Sequence, residues 1–257
     1  MGGTTSVSGL DESEAAAVAT EFGVATEQVR RDHFISIVLG ALTVHSDELI
    51  FFGGTALART HLPLGRLSED VDLIATDDRT ATADRITRTV DRVLLVTHGR
   101  LTWSPSLASA RDTDPITVQT DDGLSVRVQL LRARGYEPWP TELRDLHQRY
   151  SDTPPARLRV PTLESFVAWK TATWHDRAAP RDLYDLWALA KLGAMTPRAA
   201  ELFAVHGPIG APPRDWMFAT APTQEQWRNQ LAGQTRLEIT ADAAPAEVRE
   251  AWRRATR

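Results

Sequence analysis

The chain has 257 residues, 42% hydrophobic and 25% charged, with 34 acidic against 29 basic residues, a net charge of −5 and no cysteine. That length and apolar content suit one large domain or two small ones and exclude a disordered or disulfide-stapled chain, while the missing thiols exclude zinc fingers, iron–sulfur ligation and cysteine nucleophiles. No run approaches the ~18 apolar residues of a membrane span, and the start MGGTTSVSGLDESEAA lacks the basic and apolar regions of a secretion signal, so a soluble cytoplasmic protein without membrane association is expected. MGGTTS fits the permissive myristoylation pattern, but one acyl chain anchors only marginally.

Residues 11 to 45 read as helical, with Val29, Phe34, Ile37, Val38 and Leu42 recurring at roughly helical spacing. The apolar run Leu49-Ile50-Phe51-Phe52 then stops at Gly53-Gly54, which predicts a strand running into a glycine turn. Thr55 is expected to N-cap a short helix over ALARTHL, followed by the loop LPLGRLSED and a second strand DVDLIA. A helix over 79 to 97 turns Ile86, Val90, Val93 and Leu94 inward, and alternating runs at 101 to 104, 115 to 119 and 124 to 131 predict strands, the last two joined by a hairpin through Asp121-Asp122-Gly123. Beyond Tyr136, connectors containing Pro138, Pro140, Pro154, Pro155 and Pro161 lead into helical patterns near 162 to 177, 181 to 192, 196 to 205, 223 to 232 and 244 to 255. The expected architecture is α+β, a mixed-sheet part at 1–136 followed by a helical part at 137–257.

The most informative stretch is Gly53-Gly54-Thr55 followed, fifteen residues on, by Ser68-Glu69-Asp70-Val71-Asp72. Strand alternation places Asp70 and Asp72 on one face, ~6 to 7 Å apart, with Val71 and Leu73 opposite. Two such carboxylates repel unless a cation lies between them, and hard oxygen ligands suit Mg²⁺ or Mn²⁺, whose other positions water and phosphate oxygens fill. Glycines let backbone come close to an anion, and the helix N-terminus near Thr55 offers free N–H groups. A lone Asp-x-Asp is common on solvated strand ends and a lone Gly-Gly-Thr is usually a turn; their combination describes a site for a metal-bound triphosphate.

Lys170 and Lys191 are the only lysines among the 29 basic residues. A GC-rich genome accounts for the arginine bias, and it makes a lysine at a demanding position worth inspecting. On a helical wheel Leu163, Val167, Lys170, Trp174 and Arg177 share a stripe about 80° wide, so Lys170 lies within an apolar face. It must snorkel out, pair with an acid or meet a ligand's negative charge. Arg177 follows ~10 Å along the same stripe. Pro180 fits the first position of the next helix, whose buried face is Leu183, Leu186, Trp187 and Ala190, with Asp182 on its flank as a first-turn acid and Arg181 and Asp185 further outward. Trp169, Trp174 and Trp187 are read as core packing, and His33, His147 and His175 as helix-surface or satisfied core groups.

These regions together resemble the AbiEii/AbiGii toxin family of nucleotidyltransferases, which includes the MenT toxins and has a polymerase-β-like catalytic core. FFGGTALART, RLSEDVDLI, KTATWHDR and PRDLYDLWAL resemble its four motifs, in order, across roughly residues 28 to 192. The resemblance implies a polymerase-β-like core of mixed sheet and flanking helices, a C-terminal helical bundle contributing Lys and Asp motifs, and a bacterial toxin–antitoxin context. By position it implies that Gly53, Gly54, Thr55 and Ser68 hold the nucleotide, that Asp70 and Asp72 bind Mg²⁺ or Mn²⁺, that Lys170 contacts the triphosphate, and that Asp182 completes the centre as an acid or metal-shell residue. Arg177 and Arg181 become phosphate contacts. One departure stands out: the strand expected to carry a third acid presents Ser125, Arg127 and Gln129, so either Asp182 substitutes or one metal suffices.

The implied activity is transfer of NMP from an NTP, with pyrophosphate leaving, to the 3′ end of tRNA, under the control of a cognate antitoxin. Because the acidic chain exerts no global pull on nucleic acid, Arg30, Arg31, Arg59, Arg66, Arg132 and Arg134 are candidates for a local patch. Two other readings stand beside it, NMP transfer to a protein side chain and a nucleotide-binding regulator with reduced catalysis. A kinase is a weaker contender, since no GxxxxGK[ST] loop is present.

Overall fold

A computed structural model describes residues 9–134 and 139–257, so the MGGTTS start, Tyr136 and Pro138 lie outside the described residues. Helices α1 (Glu12–Phe22) and α2 (Thr26–Leu42) come first. Asp11 caps α1 by accepting from the amides of Ser13 and Glu14, and α2 is buried on most of its circumference, packing on α1 and on the sheet behind it. Strand β1 (Leu49–Phe52), helix α3 (Gly53–Thr60), strand β2 (Asp70–Ala75) and helix α4 (Arg79–His98) follow, then β3 (Thr102–Ser104), β4 (Ile116–Gln119) and β5 (Ser125–Arg132). On α4, Ile86, Val90 and Leu94 are buried as expected, but Val93 is exposed.

The structure adds two strands where proline-containing connectors were expected: β6 (Thr141–Leu146) and β7 (Ala156–Pro161). Pro140 and Pro155 precede them and Pro161 ends the second, places where a missing N–H costs little, and β6 is an edge strand. ARLRVP alternates in period two, burying Ala156, Leu158 and Val160. Among the described residues the strands form one mixed sheet in the order β3-β4-β5-β2-β1-β7-β6. β7 runs parallel to β1, so the sheet crosses the expected 136/137 boundary and the all-helical part begins only after Pro161.

Helices α5 (Leu163–Arg177), α6 (Pro180–Lys191), α7 (Pro197–His206), α8 (Gln224–Leu231) and α9 (Ala243–Ala255) complete the chain. One continuous apolar core joins sheet and helices, running from Phe34 and Phe51 through Val71 and Phe166 to Leu186, Trp227 and Trp252. None of the described helices is long and apolar enough to cross a membrane.

Candidate active site

The register of the central strands builds the floor of the site. β1 pairs antiparallel with β2, placing Phe52 beside Asp72, and β2 pairs parallel with β5, placing Asp70 beside Arg127 and Asp72 beside Gln129. As β1 ends, the chain turns at once into α3, with Gly53 at φ +79°. A Cβ on Gly53 would lie 2.2 Å from the Asp72 carboxylate, and one on Gly54 would lie 2.5 Å from the Arg66 guanidinium and 3.1 Å from Ser68 Oγ. Both glycines are therefore demanded by the close approach of charged side chains to this backbone.

Thr55 does not cap this helix. The helix begins three residues earlier than expected, at Gly53 with Phe52 in the capping position, and the buried Thr55 hydroxyl donates to the Asp70 carbonyl, tying α3 to the start of β2. The first-turn amides lacking intrahelical partners thus include those of Gly53 and Gly54.

Above the strands a cleft of about 310 Å³ opens, and Gly53, Gly54, Ser68, Asp70, Asp72, Lys170, Arg177, Arg181 and Asp182 all line it. Thr55 alone among the expected nucleotide, metal and catalytic residues does not. Arg66, expected only as a patch arginine, lines it too, and reasoning from sequence gave no cleft role to Trp169 or to the pair Arg127 and Gln129. Trp169 stacks on Phe52 and Trp139 at ring separations of 4.9 and 5.7 Å, so it packs as expected while also forming cleft wall. Five cations of the lining face three carboxylates, giving a locally positive cleft in an acidic chain.

Lys170 takes the second of its three options and pairs with acids. Its Nζ lies 3.1 Å from Asp182 Oδ1 and 2.7 Å from Asp185 Oδ2, occupying two of its three donors. Arg177 closes on Asp182 through two hydrogen bonds of 2.7 and 3.0 Å. Asp185 does not point outward: it is buried and receives the Arg66 fork at 2.8 and 3.0 Å. Asp182 and Asp185 are three residues apart on one helix, so both reach Lys170, a spacing the sequence itself carries.

Burial would raise the Asp182 carboxyl, but Lys170 and Arg177 outweigh it and hold the group down at about 2. Asp72 behaves oppositely: burial, and after it the charge of Asp70, push its pKa up to about 6 against the pull of Lys170, Arg127 and Arg177. Asp70 carries a bidentate pair with Arg127, Nε to Oδ1 at 2.7 Å and Nη2 to Oδ2 at 2.9 Å. The acid pair on β2 is as expected from strand alternation, and no third acid stands opposite it on β5.

Among the described residues no group of three or more His, Cys, Asp or Glu converges to hold a metal by protein ligands alone. Two neighbouring carboxylates beside a helix N-terminus nonetheless fit Mg²⁺ or Mn²⁺, hard cations that keep waters and substrate phosphates in their remaining positions.

The expected arginine patch is largely engaged elsewhere. Arg59 is buried against Asp32 and the His147 carbonyl, and Arg66 against Asp185 and Gln234. Arg30 pairs with Asp122, Arg31 bonds the Ser125 carbonyl and Arg132 pairs with Asp112, while Arg134 is exposed. Of the histidines, His33 is buried and bonded to Asp152.

A family model described as nucleotidyl transferase AbiEii toxin, type IV toxin–antitoxin system, matches residues 38–255. Among solved structures, MenT4, a nucleotidyltransferase toxin from Mycobacterium tuberculosis H37Rv, is similar over 95% of this chain and 89% of that chain, at a TM-score of 0.68 and 22% sequence identity. At that identity the likeness speaks to the fold. No curated protein matches the sequence.

Proposed function

The chain belongs to the nucleotidyl transferase AbiEii toxin family of type IV toxin–antitoxin systems, and on that premise we propose that it transfers a nucleoside monophosphate from an NTP to the 3′ end of a tRNA. The observation that carries the reading is the convergence of the α3 N-terminus, the β2 acid pair and the α5–α6 cations in one positively charged cleft. A cognate antitoxin and an NTP substrate follow from the family.

Asp70 and Asp72 would hold the divalent ion, Mg²⁺ or Mn²⁺, which when bound neutralises phosphate charge and fixes the orientation of the triphosphate. The amides of Gly53 and Gly54 and the Ser68 hydroxyl face the polyphosphate, and Lys170 places its charge where pyrophosphate leaves. Arg177 and Arg181 add further positive charge to the lining. In the transfer, the acceptor hydroxyl oxygen bonds to the α-phosphorus, the bond from that phosphorus to its bridging oxygen breaks, and pyrophosphate departs with the electron pair. The hydroxyl proton passes to water. Positioning and electrostatics dominate such chemistry. Asp182, ionised at any pH near neutral, is a poor proton donor or acceptor; its part is to anchor Lys170 and Arg177.

The test is incubation of the protein with each α-labelled NTP and Mg²⁺, separately with total tRNA and with soluble protein. Label at tRNA 3′ ends, abolished by Asp70→Ala and by Lys170→Ala, is expected. Label only in protein would overturn the tRNA acceptor, and undiminished toxicity of both variants on expression would overturn catalysis itself.

A further inference from the structure

A two-metal phosphoryl-transfer site places one ion on the attacking oxygen and one on the leaving oxygen, ~3.5 to 4 Å apart, and both need carboxylates to hold them. This cleft is short of them. Asp182 is committed to Lys170 and Arg177, and Asp185 to Arg66 and Lys170. Among the described residues only Asp70 and Asp72 of the cleft remain, and both oxygens of Asp70 already receive the guanidinium of Arg127.

The strand register makes that contact a fixture, because Arg127 on β5 sits directly beside Asp70 on β2 and neighbouring residues of paired strands share a face. The fork fits a carboxylate edge bidentately, leaving each oxygen a further lone pair for an ion shared with Asp72. Arg127 also lines the cleft, with its side chain half exposed, so its charge is presented to the cleft itself.

We propose that Arg127 is the permanent second cation of this site: it stays clamped on Asp70, excludes a second divalent ion and leaves the protein a one-metal transferase. This inference rests on the reading of Asp70 and Asp72 as the holders of the divalent ion. Arg127 acts through Asp70, orienting that carboxylate and adding fixed positive charge beside it. The cost is electrostatic, since a cation next to a metal-binding carboxylate repels the incoming metal.

The experiment is a Mn²⁺ titration followed by electron paramagnetic resonance, in the presence of the four α,β-methylene nucleoside triphosphates, on the full chain and on three variants. The unaltered protein is expected to bind one Mn²⁺ per chain. Arg127→Gln should bind that ion more tightly, on the order of tenfold given the removal of one nearby charge, and yet transfer more slowly with KM for the NTP little changed. Arg127→Lys keeps the charge and should restore the weaker affinity. Arg127→Glu supplies the missing acid and should bind two ions. Two ions on the unaltered protein, or Gln and Glu variants with unchanged affinity and stoichiometry, would overturn the inference. No Mn²⁺ on any variant would instead overturn the metal reading on which it rests.

Discussion

Lys170 shows how a single side chain can be settled by its neighbours. An ammonium is a compact charge that can lie between two carboxylates 3.1 and 2.7 Å away while still lining the cleft. A guanidinium is larger and planar, and in a packed site its extra atoms displace neighbours at a cost of about 1 to 3 kcal/mol. Lys170→Arg should therefore lower the transfer rate on the order of tenfold or more although charge is conserved, and single-turnover kinetics at saturating NTP would measure it; a rate equal to that of the unaltered protein would contradict this geometry. Asp72 carries a pH prediction. Its folded pKa of about 6 lies above the ordinary 3.8, so ionised Asp72 weakens the fold above pH 6, and that penalty is relieved as pH falls from 6 toward 3.8. Metal binding needs the ionised form, so Mn²⁺ affinity should drop about tenfold for each pH unit below 6. Affinity that stays flat down to pH 5 would show that Asp72 ionises normally. Asp182 has the opposite sign: with a folded pKa of about 2, its ion pairs stabilise the fold above pH 3.8 and are lost only as pH falls from there through 2.

At the scale of elements, the β1–α3 turn is the tightest joint in the site. Gly53→Ala would set a methyl 2.2 Å from the Asp72 carboxylate on a backbone at φ +79°. Left-handed strain plus that clash should destabilise the fold by about 1 to 3 kcal/mol and remove divalent-ion binding. Gly123→Ala provides the comparison, because Gly123 sits at φ +89° with nothing within 4 Å of the added Cβ. It should show the strain in urea unfolding and keep its metal affinity. This joint was legible in the sequence, because an apolar run stopped by two glycines and an Asp-x-Asp strand are local patterns. Asp185 was not, because a wheel drawn for one helix places it away from the apolar face and says nothing of Arg66 and Lys170 arriving from two other elements. The hairpin of β6 and β7 was hidden for a different reason. Its prolines punctuate strand ends, and only the partner strand β1 reveals that the alternation of Ala156, Leu158 and Val160 is a sheet face rather than a connector.

For the whole molecule, the site exists because early and late parts of the chain share one sheet and one ion network. β7 borders β1, α5 and α6 deliver Lys170 and Asp182 over β2, and Arg66 links its loop both to Asp185 and to Gln234, whose carbonyl also receives the amide of Leu67 at 2.8 Å. Cutting the chain at residue 136 would leave β1 as an open edge, since its outer neighbour β7 lies beyond the cut. It would also expose Phe51 and Leu57, which are buried in a core shared with Phe166 and Val167, and strip the buried Arg66 of both its partners. A buried charge left unpaired costs about 3 to 5 kcal/mol, a large fraction of the stability of a domain this size. Residues 1–136 expressed alone should be insoluble or lack a cooperative urea transition, and co-expression with 137–257 should recover a soluble, noncovalent pair that binds Mn²⁺. A cooperative transition for 1–136 alone would mean that β1 does not need β7, and that the strand pairing across the cut adds little to the fold.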